Sequence, residues 1–273
     1  MSSFIPYAGK NSIVEAVFGL AFAQPIISTI GENFEALKKE FAGEFPSFEK
    51  MQMFQITLQG PQIGALGTNP TSAPVAAGFN GSKFKADGTP SRVFRGMANG
   101  LSVHFLEYEH WSETAPKAMD FFSRCLPIIK LPAAENPIIG IGLRFTDRFT
   151  FDGNPTEASA DRLLKKATHF VAPQVMAVGA RWHSNSGWFE SVNGKNEILH
   201  QLDVSGVMEQ SAAVIVNHNM NCSLSEPLGS LTRSDGLPAK NTFADIFDKE
   251  HAANASMLRN LLNDEMLKAI GLG

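Results

Sequence analysis

Glu15, Asp147 and His251 are residue types that hydrolases and nucleases use for proton transfer, and they lie in three separate stretches of the chain. Brought together in one cleft, they would form a dispersed acid–base site with shifted proton affinities. Glu15 also has a structural reading. The runs Ile13-Val14-Glu15-Ala16-Val17-Phe18-Gly19-Leu20-Ala21-Phe22 and Ile138-Ile139-Gly140-Ile141-Gly142-Leu143-Arg144-Phe145-Thr146-Asp147-Arg148-Phe149 read as strands buried on at least one face. The first carries Glu15 in an otherwise apolar run, and the second carries Arg144. An isolated buried charge is costly and pairing is the common remedy, so the two runs are expected to be neighbouring central strands joined by a structural Glu15–Arg144 ion pair. Losing one partner of a buried pair would cost about 3–5 kcal/mol.

Other chemical patterns are weaker. Strand alternation would place His104 with Leu106 and Tyr108, and Glu107 with Glu109 on the other face, which is poor geometry for a metal shared with His110. His218 and Cys222 have ligand-like spacing but no second pair nearby. No metal and no cofactor are therefore expected. Asp248 and His251 would share a helix face as orienter and base, with a surface contact as the plainer account. The chain has no phosphate loop, no G-x-S-x-G elbow, no HExxH and no dinucleotide fingerprint. Lys83, Lys85, Arg92 and Arg95, interleaved with Phe84 and Phe94, form a modest basic cluster on predicted hairpins. Such a face could stack and hold RNA or DNA, while a charged edge that blocks strand-to-strand aggregation is the simpler account.

The elements that must position these residues follow from periodicity. After the first strand, Phe34, Leu37, Phe41 and Phe45 mark one face of a helix over Ile30–Phe45. Met53–Gln59 reads as a strand and Gly60–Gly81 as a long loop. A hairpin series follows over Ser82–Ala86, Arg92–Met97 and Leu101–Tyr108, with turns at Asp87-Gly88 and Asn99-Gly100. Pro116–Leu126 reads as a helix and Ile138–Phe151 as the closing strand. That order describes an elaborated ferredoxin-like, split βαβ unit over residues 1–155, with its first and last strands side by side. Residues 156–273 read as a second α+β subdomain. Its elements are a short helix over Asp161–Phe170, strands over Val178–Trp182, Gly187–Val192, Ile198–Val207 and Ala212–Asn219 with a turn at Asn193-Gly194, and C-terminal helices over Phe243–Leu262 and Asp264–Ile270. These strands are expected to build a second antiparallel sheet.

Composition sets the class. The chain has 273 residues, 44% of them hydrophobic and 18% charged, enough to bury a large core. Its 21 phenylalanines, against 2 tyrosines and 3 tryptophans, point to a Phe-packed interior. The net charge of −4 argues against a general nucleic-acid grip. Two cysteines far apart make no disulfide framework and fit a reducing compartment. The N-terminal apolar run, interrupted by Glu15 and ended by Pro25, is a poor signal peptide and too short to span a membrane, so a cytoplasmic protein is expected.

Several short motifs resemble a sporadically distributed bacterial family of about this length. Ile13-Val14-Glu15-Ala16-Val17-Phe18 is similar to its P-[IL]-V-E-x-x-F opening, with Ser12 where the family usually has Pro. Gly140-Ile141-Gly142-Leu143-Arg144-Phe145-Thr146-Asp147-Arg148 resembles its G-L-R-[YF]-[IT]-[ND] strand, with Asp147 where Asn is frequent. Tyr108-Glu109-His110-Trp111 resembles its Y-x-x-W element, and His251 with Leu258 and Asn263-Asp264-Glu265-Met266-Leu267 its closing helix. The resemblance implies a bacterial protein and supports the strand assignments. It assigns no reaction, and the family's patchy distribution associates it with phage defence or stress response. The preferred reading is a non-catalytic protein that binds a macromolecular partner, expected to be a protein, through its sheet surface and loops. A hydrolase or nuclease using Glu15, Asp147 and His251 is one alternative, and an RNA- or DNA-binding sheet is another. Self-association of the chain is also compatible with the sequence.

Overall fold

A computed structural model of the chain describes residues 2–54, 74–129, 136–192, 195–226 and 240–273. Among these residues it is an α+β fold built on one ten-stranded antiparallel sheet with five helices. The strands are β1 (Ser3–Pro6), β2 (Ile13–Phe22), β3 (Ser47–Phe54), β4 (Pro74–Phe84), β5 (Pro90–Met97), β6 (Gly100–Phe105), β7 (Ile138–Asp152), β8 (Trp182–Val192), β9 (Asn196–Met208) and β10 (Ala212–Ser223). The helices are α1 (Ile27–Glu32), α2 (Phe34–Phe41), α3 (Trp111–Ile128), α4 (Lys240–Leu261) and α5 (Asp264–Ala269). The strand order is β3-β4-β5-β6-β2-β7-β10-β9-β8, with β1 paired to β7 outside that path.

β7 organises the molecule. It is 15 residues long, enough for two strands to share one of its edges. β2 pairs with Ile138 to Asp147, and β1 with Phe149 to Asp152. β10 takes the opposite edge, from Gly140 to Thr150. The strands expected to form a second sheet therefore extend the first, because β7 offers β10 a full free edge. Between β1 and β2 the chain turns through an Ala8–Asn11 bridge, and Ser12 returns to β7 by accepting the Arg148 amide at 2.8 Å.

Alternation divides the sheet into two faces. Ala16, Phe18, Leu20 and Phe22 of β2, and Ile141, Leu143, Phe145, Phe149 and Phe151 of β7, point to one side and are buried. All five helices pack on that side. Phenylalanine dominates there, with Phe41, Phe45, Phe79, Phe94, Phe121 and Phe122 nearly or wholly buried in a single cluster. A second cluster joins Phe149, Leu202, Val204 and Val214 to Leu258, Leu261 and Met266. α4 serves both clusters, through Phe247 in the first and Leu258 in the second. Among the described residues, no helix covers the other face.

Several predicted elements change. The Ile30–Phe45 helix is two helices meeting at Asn33, which closes α1 and opens α2. α3 begins at Trp111, so Pro116 lies inside it and not in its first turn. Asp161–Phe170 is not a helix: Leu164 bridges to Leu262 and the Lys165 amide donates to Leu261, so the end of α4 takes the backbone bonds a helix would have used. Val178–Trp182 is not a strand, since a 3-10 turn over Pro173–Ala177 precedes β8, which starts only at Trp182. Of the strand placed at Met53–Gln59, the described residues Met53 and Phe54 end a strand that begins earlier, at Ser47, and the end of the expected loop is the beginning of β4. Residues 55–73 and the Asn193-Gly194 turn lie outside the described residues.

Candidate functional sites on the two faces of the sheet

Glu15 and Arg144 pair at 2.7 Å, Arg144 Nη2 donating to Glu15 Oε2. They lie on the helix-free face, with their side chains 21% and 41% exposed, so this is not the buried pair expected from the apolar runs. The cause is parity: Glu15 and Arg144 alternate with the inward Ala16, Leu143 and Phe145. The other Glu15 oxygen lies 2.8 Å from His104 Nδ1, and His104 Nε2 lies 3.2 Å from Ser102 Oγ. The His104 hydrogen bond, with help from Arg144 and against partial burial, holds the Glu15 carboxyl below its ordinary range. Similar cross-strand pairs continue over this face. Thr146 donates to Asn217 at 2.8 Å, Asn219 to Gln201 at 3.0 Å, and Arg95 to Asn80 at 2.8 Å. Near the middle, Gly19, Gly140 and Gly142 leave a shallow depression of about 330 Å³ beside Asn221.

Asp147 and His251 are on the other side, and they share a cavity of about 560 Å³. It opens where the chain leaves β7 between β1 and β2, and Ser12, Tyr108, Trp111 and Asn254 also line it. Asp147 is fully buried. Its Oδ1 accepts the Ser12 hydroxyl at 2.6 Å, while Oδ2 has no hydrogen-bond partner among the described residues. Desolvation raises its pKa to about 6, opposed by the Ser12 bond. Burial and the nearby Asp147 charge push the Tyr108 phenol up to about 12. His251 stacks on Trp111 with ring centres 4.2 Å apart and planes 3° apart, and Phe18 stacks on Trp111 at 5.5 Å. Burial lowers the His251 pKa, against the pull of Asp248. Asp248 is not bonded to His251: it accepts the Trp111 indole N–H at 2.7 Å.

A buried polar chain reaches this cavity from a second one of about 510 Å³ on the other flank of α4, lined by Trp188, Glu190, His200 and Lys249. His218 Nδ1 lies 2.9 Å from Asn254 Oδ1, and His218 Nε2 lies 3.0 Å from His200 Nδ1. With the Asn254 oxygen toward His218, His218 carries its proton on Nδ1 and accepts from His200 Nδ1–H. His200 Nε2 lies 3.2 Å from Glu190 Oε2. Desolvation lowers both imidazoles, His218 to about 4. Glu250, one turn before Asn254, is wholly buried with neither oxygen hydrogen-bonded among the described residues. Burial holds its carboxyl well above the ordinary range.

Comparison with family models, with curated proteins and with solved structures finds no match in any of the three. The site reading therefore rests on this geometry alone. Of the three acid–base candidates, Asp147 and His251 come together, whereas Glu15 lies across the sheet from them. The basic cluster is also divided. Phe94 is wholly buried under the helices, and Arg92 lies over the Phe105 and Phe121 rings, 5.2 and 5.4 Å from their centres. Lys85 pairs with Glu107 at 3.3 Å. Lys83 and Phe84 are exposed, and Arg95 is exposed on the opposite face from Arg92. His218 and Cys222 both point inward, and among the described residues no three His, Cys, Asp or Glu side chains are grouped to hold a metal.

Ser12, His200, Asn254 and Glu250 did not emerge from motif reading. Their signal was polar residues at core positions of a regular pattern. Phe247, Glu250, Asn254, Leu258 and Leu261 make one helical stripe, and His200 and His218 alternate in phase with Ile198, Leu202, Val216 and Met220.

Proposed function

We propose that this chain is a non-catalytic binding protein that docks a protein partner on the helix-free face of its sheet. The observation that carries this reading is the width of that face, which runs from β5 to β8 with its polar groups already paired across strands. Pre-paired side chains lose little freedom on binding, which favours association. Its charges are mixed: Arg95, Arg144 and Arg148 stand among Glu15, Asp203 and Glu197, so no positive stripe invites a phosphate backbone. Phe189, 69% exposed on the edge strand β8, provides an apolar anchor of the kind protein interfaces favour. The path of strand, helices, four-strand meander, helix and strand, with β2 set between β6 and β7, supports an elaborated split βαβ reading of the N-terminal half.

Gln201→Lys with Asn221→Lys places two charges on this face outside the Glu15 network. Complexes purified from producing cells are expected to contain a stoichiometric protein with the wild-type chain and with a Lys39→Glu control, and to lose it with the double variant. Retention of the companion by the double variant removes this reading. A companion released by nuclease moves the function to nucleic acid.

A further inference from the structure

The cavity beneath Trp111 and His251 has no part in the proposed docking face, and it holds more polar chemistry than a packing defect needs. Packing defects left by imperfect filling are apolar and dry. This one has three polar side chains that are over nine-tenths buried, Asp147 at 0%, Asn254 at 3% and Ser12 at 4% exposure. Asp147 keeps one carboxylate oxygen without a partner among the described residues. Buried unpaired acceptors are rare in native proteins and call for an explanation.

Each lining group has a defined hydrogen-bonding sense. With its Oδ1 placed toward His218, Asn254 has its amide N–H donors left for the cavity. Asp147 offers an acceptor, steadied by Ser12 at its other oxygen. A ligand meeting both needs a donor and an acceptor. The stacked His251–Trp111 pair supplies a flat aromatic shelf, with Phe18 as its backing. At the rim, Lys10 and Lys268 are both exposed. The volume of about 560 Å³ falls within the range of small-molecule sites.

We infer that this cavity binds a mononucleotide, its base edge between Asp147 and Asn254, its ring against the His251 shelf and its phosphate toward Lys10 and Lys268. A nucleobase is flat, carries adjacent donor and acceptor atoms on one edge, and has a π-face that stacks on aromatic side chains. The phosphate of a mononucleotide matches the two rim lysines.

Isothermal titration of the full chain with AMP, GMP, CMP and UMP tests this, with ribose 5-phosphate as the base-free probe. At least one nucleotide is expected to bind, and ribose 5-phosphate at least about tenfold more weakly, because it leaves the buried Asp147 and Asn254 groups unmatched. Asp147→Asn replaces a charge-assisted bond by a neutral one and is expected to weaken binding by about tenfold. His251→Ala, which touches only the shelf, is expected to weaken it by a similar factor and serves if the Asp147→Asn variant does not fold. Failure of all four nucleotides to bind at millimolar concentration overturns the inference. So does equal binding of ribose 5-phosphate, which would mark a phosphate contact at the rim lysines alone. Unchanged affinity in whichever variant folds overturns it as well.

Discussion

Glu15 and Asp147 are carboxylates on adjacent strands of one sheet, and they lie on opposite faces of it. Glu15 has an imidazole and a guanidinium within 3 Å and partial access to water, and its pKa is held low. Asp147 has one hydroxyl partner and is fully buried, and its pKa rises to about 6. The residue type is nearly the same, so the face decides the proton affinity. The helix-free face solves its polar groups by pairing them across strands in reach of solvent. The covered face either chains them together, as in His200–His218–Asn254, or leaves burial to raise their proton affinity, as in Glu250.

The strongest way to break this comparison is on the covered face. Phe94→Ala is expected to destabilise the chain by about 3–5 kcal/mol in urea unfolding, because Phe94 packs against Phe41, Phe45, Phe79 and Phe121 and not against a ligand. A cost under 1 kcal/mol would return Phe94 to the surface and to the nucleic-acid reading. Next is Asp147→Asn. An acid whose pKa is raised from 3.8 to about 6 on folding lets the unfolded chain lose its proton first. Its penalty is absent below pH 3.8, grows as pH rises through that window, and is complete above pH 6. The shift of roughly two units corresponds to up to about 3 kcal/mol. The variant is therefore expected to be more stable than wild type at pH 8 and to differ little at pH 3.5. His218, lowered to about 4, has the opposite slope between pH 4 and 6.5, so the wild-type profile is flatter than either group alone would make it. Equal stability of the two proteins at pH 8 would mean that Asp147 is ionised at little cost. The smallest effect is expected on the open face. Arg144→Met should cost about 1 kcal/mol, as for exposed pairs, and a loss of 3 kcal/mol or more would place Glu15–Arg144 among buried pairs.

How much of this was legible depends on parity. The neighbouring placement of β2 and β7 was readable because Glu15 and Arg144 stand as opposite charges within otherwise apolar stretches of the two strands. The exposure of the face these two share was not, since Val17, Gly19, Gly140 and Gly142 are small or apolar and make an outward row look like an inward one. Asp147 shares the inward phase of Phe145 and Phe149, and that mismatch was the one sign of a buried acid. The single sheet was hidden because pairing β7 with β10 depends on contacts far apart in sequence. The length of β7 was its only local trace. The division of Arg92 and Phe94 from Arg95 follows from alternation alone, whereas the meeting of Asp147 with His251 depends on where α4 docks, which no local pattern specifies.

β7 also sets a timetable. Its second edge is completed only by β10, and 59 residues (153 to 211) lie between the two strands. At about 5–20 residues per second, a ribosome leaves that long strand half-paired for roughly 3–12 seconds. Bare strand edges recruit other chains. A truncation ending near residue 155 would keep that edge bare permanently and is expected to aggregate.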